Sequence, residues 1–372
     1  MAPGPQTAKQ AGLFDGLKGL INQLSAGSSQ QTKQIKAHTQ GITRIAVSHN
    51  GTRMISVGLD MKLRLWDLTS LREIASFDVY TDRMSTMGFS PEGKMLYANA
   101  SPQATLGKGS GTFYMWSVLN GQKLLKLDGT QDSAIFSPNG KMIAYADRNS
   151  NVVLIDPKTG RHKFGLRGHR SNITKILYTP DSQFIIASAK NGAIVMWNAQ
   201  TGREACRFVG HTDAVTDITL LDENRLISVS LDGTFRIWDV ASGHQVLYGS
   251  QLGRTSNIRL VTTNSHDQFL TVESGEIRRW SVDGRELNKY TYKYPHQMAT
   301  IDISKDGMRA LIAYTSDPTL YWVDLNSGQE LNRLEAPGTS VYTAQYFQKG
   351  DIAIVGMGDG TIQFWPLVKK ED

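Results

Sequence analysis

The sequence predicts an all-β protein made of eight copies of one four-stranded unit, and three observations carry that prediction. A strand-closing position, usually aromatic, recurs at Trp66, Trp116, Ile155, Trp197, Trp238, Trp280, Val323 and Trp365, with gaps of 50, 39, 42, 41, 42, 43 and 42 residues. A period near 40–45 residues is the mark of a propeller or solenoid. A polar turn recurs in phase with it: Ser48-His49-Asn50-Gly51, Ser90-Pro91-Glu92-Gly93, Ser137-Pro138-Asn139-Gly140 and Thr179-Pro180-Asp181-Ser182, with weaker copies near 222, 264, 304 and 348. Segments such as Ile42–Val47 and Thr234–Trp238 alternate with period two, as half-buried strands do, and no helical periodicity of useful length follows residue 30. Four short strands per repeat, with no helix between them, describe the blade of a β-propeller.

Read from the N-terminus, residues 1–30 are an extension ahead of the repeats and residues 31–372 are the propeller. Leu13, Phe14, Leu17, Leu20, Ile21 and Leu24 fall at helical spacing and draw one apolar stripe over residues 11–25. Gly12, Gly16 and Gly19 weaken such a helix by about 1 kcal/mol each relative to alanine. A helix this short needs a surface to lie on. Residues 26–30, Ala-Gly-Ser-Ser-Gln, read as a flexible linker. Three surfaces stay open for the stripe: a partner's groove, the propeller itself, or a membrane interface. The polar face carries Asp15, Lys18, Asn22 and Gln23, which is not the basic face that anionic lipid favours.

The last unit stops short, because only seven residues follow Trp365. Residues 31–38 align with the outer-strand segments Arg161–His169 and Arg203–His211 although no full unit precedes them. They are expected to form the outer strand of the last blade, closing the ring and removing an unpaired strand edge. Eight third strands with this closure give eight blades; seven is the alternative if unit three or unit seven is absorbed irregularly.

Unit five reads Gly210-His211, Asp232-Gly233 and Trp238-Asp239, and unit one reads Ala37-His38, Asp60 and Trp66-Asp67. In these motifs the chain resembles the WD40 family over about residues 31–368. Unit four keeps Gly168-His169 but closes on Trp197-Asn198, and the remaining units drift further. The resemblance implies a hydrogen-bonded brace inside a blade, with His38, Ser56, Asp60 and Trp66 as one set and His211, Ser228, Asp232 and Trp238 as another. A Ser-His-Asp trio is also the inventory of a hydrolase triad. Here the trio recurs at equivalent positions, each time with a Trp, so a structural brace is expected. The family also implies a non-catalytic platform for protein–protein interaction, here a subunit of a larger assembly tethered by its N-terminal helix. Two other readings stay open: a peripheral membrane adaptor anchored by residues 11–25, and an enzyme with its active site in the propeller funnel.

Further candidate partner-binding residues lie on loops. The turns between second and third strands place Lys62, Lys108, Arg148 and Lys190 in units one to four, and Asp232, Glu273, Glu276, Asp317 and Asp359 in units five to eight. If they share a rim, one half is basic and the other acidic, a pattern that orients partners. Gly107–Gly111 resembles a phosphate loop, but Pro102 stands where that motif needs glycine and Gly109 where it needs serine or threonine, and no helix follows. Lys289–His296 interleaves lysines with Tyr290, Tyr292 and Tyr294, which suits an interface if the tyrosines are exposed and an ordinary outer strand if they pack.

Composition narrows the class. Lys and Arg number 40 against 34 acidic residues, but no block of like charge occurs, so nucleic acid is not the expected main partner. The single Cys206 excludes internal disulfides. No metal-ligand spacing is present, and neither a cofactor nor a small-molecule substrate is expected. No apolar run is long enough to span a bilayer, and no secretory signal is apparent. A reducing cytoplasm is the expected location, with attachment to a membrane surface through the N-terminal helix kept as the variant.

Overall fold

The computed structural model describes residues 33–79, 84–100, 111–250, 252–253, 258–294, 298–315, 317–336, 338–347 and 352–367. Among these residues the regular structure is antiparallel β throughout, with no helix. The helix expected over 11–25, its linker and Lys108 lie outside the described residues.

Unit one is a meander of four strands, Ile42–Val47, Arg53–Gly58, Lys62–Asp67 and Arg72–Asp78, paired in chain order. Units four to seven repeat that order as separate sheets. Units two and three instead share one seven-stranded sheet, because a single strand, Lys123–Phe136, serves both. Its first half pairs with Gly111–Ser117 as an outer strand, and its second half pairs with Ile143–Asp147 as an inner one. The corner is Gly129, whose φ of +89° is open to glycine and where a Cβ would press on the Arg148 guanidinium at 3.0 Å.

The polar turn that marks each repeat works through one hydrogen bond. The fourth residue donates its N–H to the carbonyl of the first in Gly51→Ser48, Gly93→Ser90, Gly140→Ser137 and Gly307→Ser304, at 2.8 Å each. Glycine supplies the positive φ this geometry requires. In unit four Ser182 makes the same bond to Thr179 at φ +63°.

Alternation along each strand sends side chains to both faces of a sheet, and both faces are covered by neighbouring sheets. Eight hydrophobic clusters among the described residues lie between successive units. Between units four and five, for example, Ile186, Ile194, Met196 and Phe208 pack on Val215, Ile218, Leu226 and Trp238. The cluster between the last and the first units completes the circuit, joining Ile352, Ile354, Ile362 and Phe364 to Ile42, Met54 and Trp66. Six of the seven tryptophans, all but Trp66, are the largest fully buried side chains. Trp322 is buried one residue ahead of Val323, which holds the strand-closing register opposite Ala310.

The termini meet as the sequence predicts. Lys33–Lys36 pairs antiparallel with the last strand, Lys33 opposite Phe364 and Lys36 opposite Thr361. Ile35 packs on the cluster between last and first units. The N–H groups of Ala37 and His38 then both donate to the Gly360 carbonyl, at 3.0 and 2.8 Å. The result is a β-propeller whose sheets follow one another around a closed circuit.

Candidate interaction faces

One face of the ring is built from the turns between second and third strands and the connections between units. In units one, four, five and eight this turn is pinned to the segment before its own first strand. Leu59 N–H donates to Gly41 O, Lys190 to Asn172 O, Leu231 to Ala214 O and Gly358 to Ser340 O, all within 2.7–2.9 Å. Loops held this way on a rigid scaffold are where binding residues usually sit.

The braces support this face from below. In unit one, His38 Nδ1 lies 2.8 Å from Asp60 Oδ1 and Nε2 lies 2.8 Å from Ser56 Oγ, which also accepts the Trp66 indole N–H at 2.9 Å. In unit five the same chain runs from Trp238 through Ser228 and His211 to Asp232, at 2.8, 2.7 and 2.8 Å. The carboxylate can only accept, so Nδ1 carries the imidazole proton, the Ser hydroxyl donates to Nε2, and every polar atom is paired. Burial pushes both imidazoles below the ordinary histidine range, more than Asp60 and Asp232 draw them up. Burial also opposes ionisation of the two aspartates. The bonds from His38, Thr39 and Lys62, or from Thr234, His211 and Thr212, outweigh it and hold both carboxyls low. The Ser hydroxyl is thus spent between an indole and an imidazole inside the blade wall.

Unit four shows the brace missing. Counted from His169, the Ser position is Ala187 and the Asp position is Asn191. Trp197 turns its N–H to Arg167 O at 3.1 Å, and both His169 ring nitrogens are buried with no hydrogen bond of normal geometry. Burial drives the His169 pKa down to about 4, the Ala187 backbone drawing it up and Arg207 pressing it further down. An unfolded histidine titrates near 6.5, so acid protonates the unfolded chain first. Stability present above about pH 6.5 is therefore lost as pH falls towards 4, by about 2 kcal/mol at pH 5. Asp302, pushed up to about 6 by burial against the bonds from Tyr346 and Ile303, has the opposite sign and masks this in the native protein. The effect is isolated by His169→Phe: urea midpoints at pH 7.5 and pH 5 should diverge in favour of the variant by about that amount. Parallel curves would show that His169 is not held neutral.

The charged positions of the rim differ in how much charge they present. Arg148 and Lys190 are exposed, while Lys62 donates to Asp78. The acidic positions are engaged. Asp232 belongs to the brace, and Glu273, 5% exposed, accepts the Gly253 N–H at 2.8 Å. Glu276 pairs with Arg278 and lies 3.5 Å from Lys289. Asp317 accepts the Tyr321 hydroxyl at 2.6 Å, and Asp359 accepts the Thr361 N–H at 2.8 Å.

Of the two readings of residues 289–296, the burial of Tyr292 goes against an exposed interface at that residue and fits a packed outer strand. It is 3% exposed and belongs to the cluster between units six and seven. Tyr294 is half-buried and meets Tyr314 edge-on at 5.1 Å. Lys293, exposed between them, lies over the rings of Tyr294 and Tyr321 at 4.9 and 5.0 Å and donates to the Tyr321 hydroxyl at 3.1 Å. The tyrosines face a neighbouring sheet, which the alternation of one strand does not reveal. Cys206 is half-buried in an outer strand, its thiol pushed up by burial and by Glu204 and Asp239.

Residues that sequence reasoning passed over line the inner strands. Arg44, Lys175, Asp217 and Arg259 stand 22, 22, 21 and 21 residues before the closing Trp of their units. That nearly constant offset was the available signal.

The model of the WD domain, G-beta repeat, matches residues 29–67, 160–198 and 202–239, which cover units one, four and five. The chain carries WD40 repeats and fits the WD40-repeat family. Among curated proteins it is similar to WD repeat-containing protein 90 of Xenopus tropicalis, 22% identical over 173 residues, 45% of this chain and 9% of that protein. The chain thus spans less than a tenth of that relative's length. Among solved structures it is similar to the computationally designed Ika8 protein, with a TM-score of 0.69 at 21% identity over 90% of this chain and 98% of that one, a likeness of fold alone. WD40 domains generally serve as protein–protein interaction scaffolds, and this chain carries their repeats.

Proposed function

We propose that this WD40 protein is a non-catalytic scaffold, an eight-bladed ring that presents its turn face to other proteins and is tethered in a larger cytoplasmic assembly by residues 11–25. The observation that carries the reading is the fate of the Ser-His-Asp trios. Both end on an indole inside the blade wall, so neither offers a nucleophile to a cavity. Eight blades are supported by the eight inter-unit clusters and by Lys123–Phe136 acting as outer strand of one blade and inner strand of the next. Class averages of the purified protein viewed down its axis are expected to resolve eight spokes; seven would refute the count.

The tether is tested by affinity capture from native lysate with the wild type and a Leu17→Asp/Leu20→Asp variant. The variant is expected to lose co-purifying subunits, and an unaltered set removes the tether. Liposome flotation separates this from membrane attachment: the intact chain and one lacking residues 1–30 are expected to float equally poorly. Flotation lost with those residues would favour the membrane adaptor.

A further inference from the structure

The first strand of six units carries the same irregularity. The antiparallel register slips at Ile42/Arg44, Met84/Thr86, Ile173/Lys175, Val215/Asp217, Met298/Thr300 and Val341/Thr343. A slip of this kind is a β-bulge, which re-aims the side chain that follows it. In each case the residue after the slip pairs with the same level of the second strand, three residues beyond the one opposite the closing position: Val57, Asn99, Ser188, Val229, Ala313 and Gly356. Arg259 of unit six pairs at that level too, opposite Val272. One belt therefore runs around the inner strands: Arg44, Thr86, Lys175, Asp217, Arg259, Thr300 and Thr343. The side chain of Asp132, in the inner strand of unit three, lies outside the described residues.

The belt has two unlike arcs. On one, Lys175 and Asp217 neutralise each other at 2.9 Å, and the second Asp217 oxygen accepts the Leu260 N–H of the next unit at 2.9 Å. The other runs from unit six through units seven, eight and one to unit two. It reads Arg259, Thr300, Thr343, Arg44, Thr86, with no carboxylate. Neither arginine makes an ion pair with another described residue, and Arg44 spends one N–H on the Ser85 carbonyl at 2.8 Å. The Thr86 hydroxyl is buried and has no hydrogen-bond partner among the described residues. Arg44 and Arg259 are both exposed and leave the ring at the same belt level, and crowding by the inner strands, with the charge of Arg259, pulls the Arg44 guanidinium below its ordinary range. Asp302 feels the charge of Arg259 but forms no ion pair with it, spending its oxygens on the N–H groups of Tyr346 and Ile303 at 2.7 and 3.1 Å.

We propose that this arc is an anion site, holding a phosphate group, free or carried on a phosphorylated side chain, between Arg44 and Arg259 with the threonine hydroxyls as further donors. Guanidinium forks match the oxygens of phosphate, and hydroxyls supply adaptable donors. An anion there relieves the repulsion of two cations and gives the Thr86 hydroxyl a partner. The site stands whether or not the ring is a protein scaffold.

Calorimetry on the full chain at low salt tests it with two probes: inorganic pyrophosphate, and a phosphoserine peptide beside its serine counterpart. Binding is expected to weaken about tenfold or more for each of Arg44→Gln and Arg259→Gln. Lys175→Gln, on the neutral arc, should change it less than about twofold. Binding of both probes means the group is read however it is carried; pyrophosphate alone assigns a free anion, and the phosphopeptide alone a modified side chain. No heat from either probe, or undiminished affinity without both arginines, overturns the site. Circular dichroism checks folding, and the exposed Arg259→Gln alone serves if the double variant is unstable.

Discussion

A chain beginning at Ala37 should unfold at a clearly lower urea concentration than one beginning at Lys33, because the first four described residues are the outer strand of the last sheet. Each ladder hydrogen bond contributes about 1 kcal/mol net. The half-buried Ile35 adds about 1 kcal/mol, and its removal also uncovers Ile362 and Phe364, which are otherwise fully buried. Backbone entropy recovered by freeing four residues offsets part of this. A net loss of a few kcal/mol remains. The shortened chain also leaves Thr361–Pro366 as an open edge, so self-association should appear in size-exclusion chromatography. Equal midpoints and a monomeric profile for both chains would mean that the seam between termini contributes nothing.

Ser228→Ala is expected to destabilise the ring by about 2–4 kcal/mol, a large effect for the loss of one oxygen. The hydroxyl accepts from Trp238 and donates to His211, and both partners are buried. Each polar atom stranded without a partner costs about 1–3 kcal/mol. Unit four supplies the reverse experiment, since it already lacks the oxygen. Introducing Ala187→Ser with Asn191→Asp should give His169 the partners that His38 and His211 have, raise its pKa and shift the urea midpoint upward. Histidine titration by NMR reads the first effect directly. A cost below about 0.5 kcal/mol for Ser228→Ala, or an unmoved His169 in the double variant, would reduce the brace to a bystander.

Much of this was legible in the residues. The closing tryptophans and the polar turns depend on spacing within one unit, and the closing N-terminal strand showed itself by aligning with the outer strands of other units. The brace is of the same kind: His38, Ser56, Asp60 and Trp66 lie in one unit, and their types together leave few other arrangements. Tyr292 was not legible. Alternation says that one side of a strand is covered, but not which sheet covers it, and its neighbours at 312, 314 and 321 belong to the next unit. The strand shared by units two and three was equally hidden, because a turn at Gly129 and a continuous strand through it use the same residues.

The amino-acid sequence by itself determined the repeat, the pairing of first and last segments and the two braced blades, since each is written in residues that recur at the spacing of the unit. Only the tertiary structure decided which charges meet. Arg44 and Arg259 are 215 positions apart. They come to one level because Arg44, after a bulge, and Arg259, without one, pair at the same level of their second strands, and the ring brings the sixth unit round towards the first.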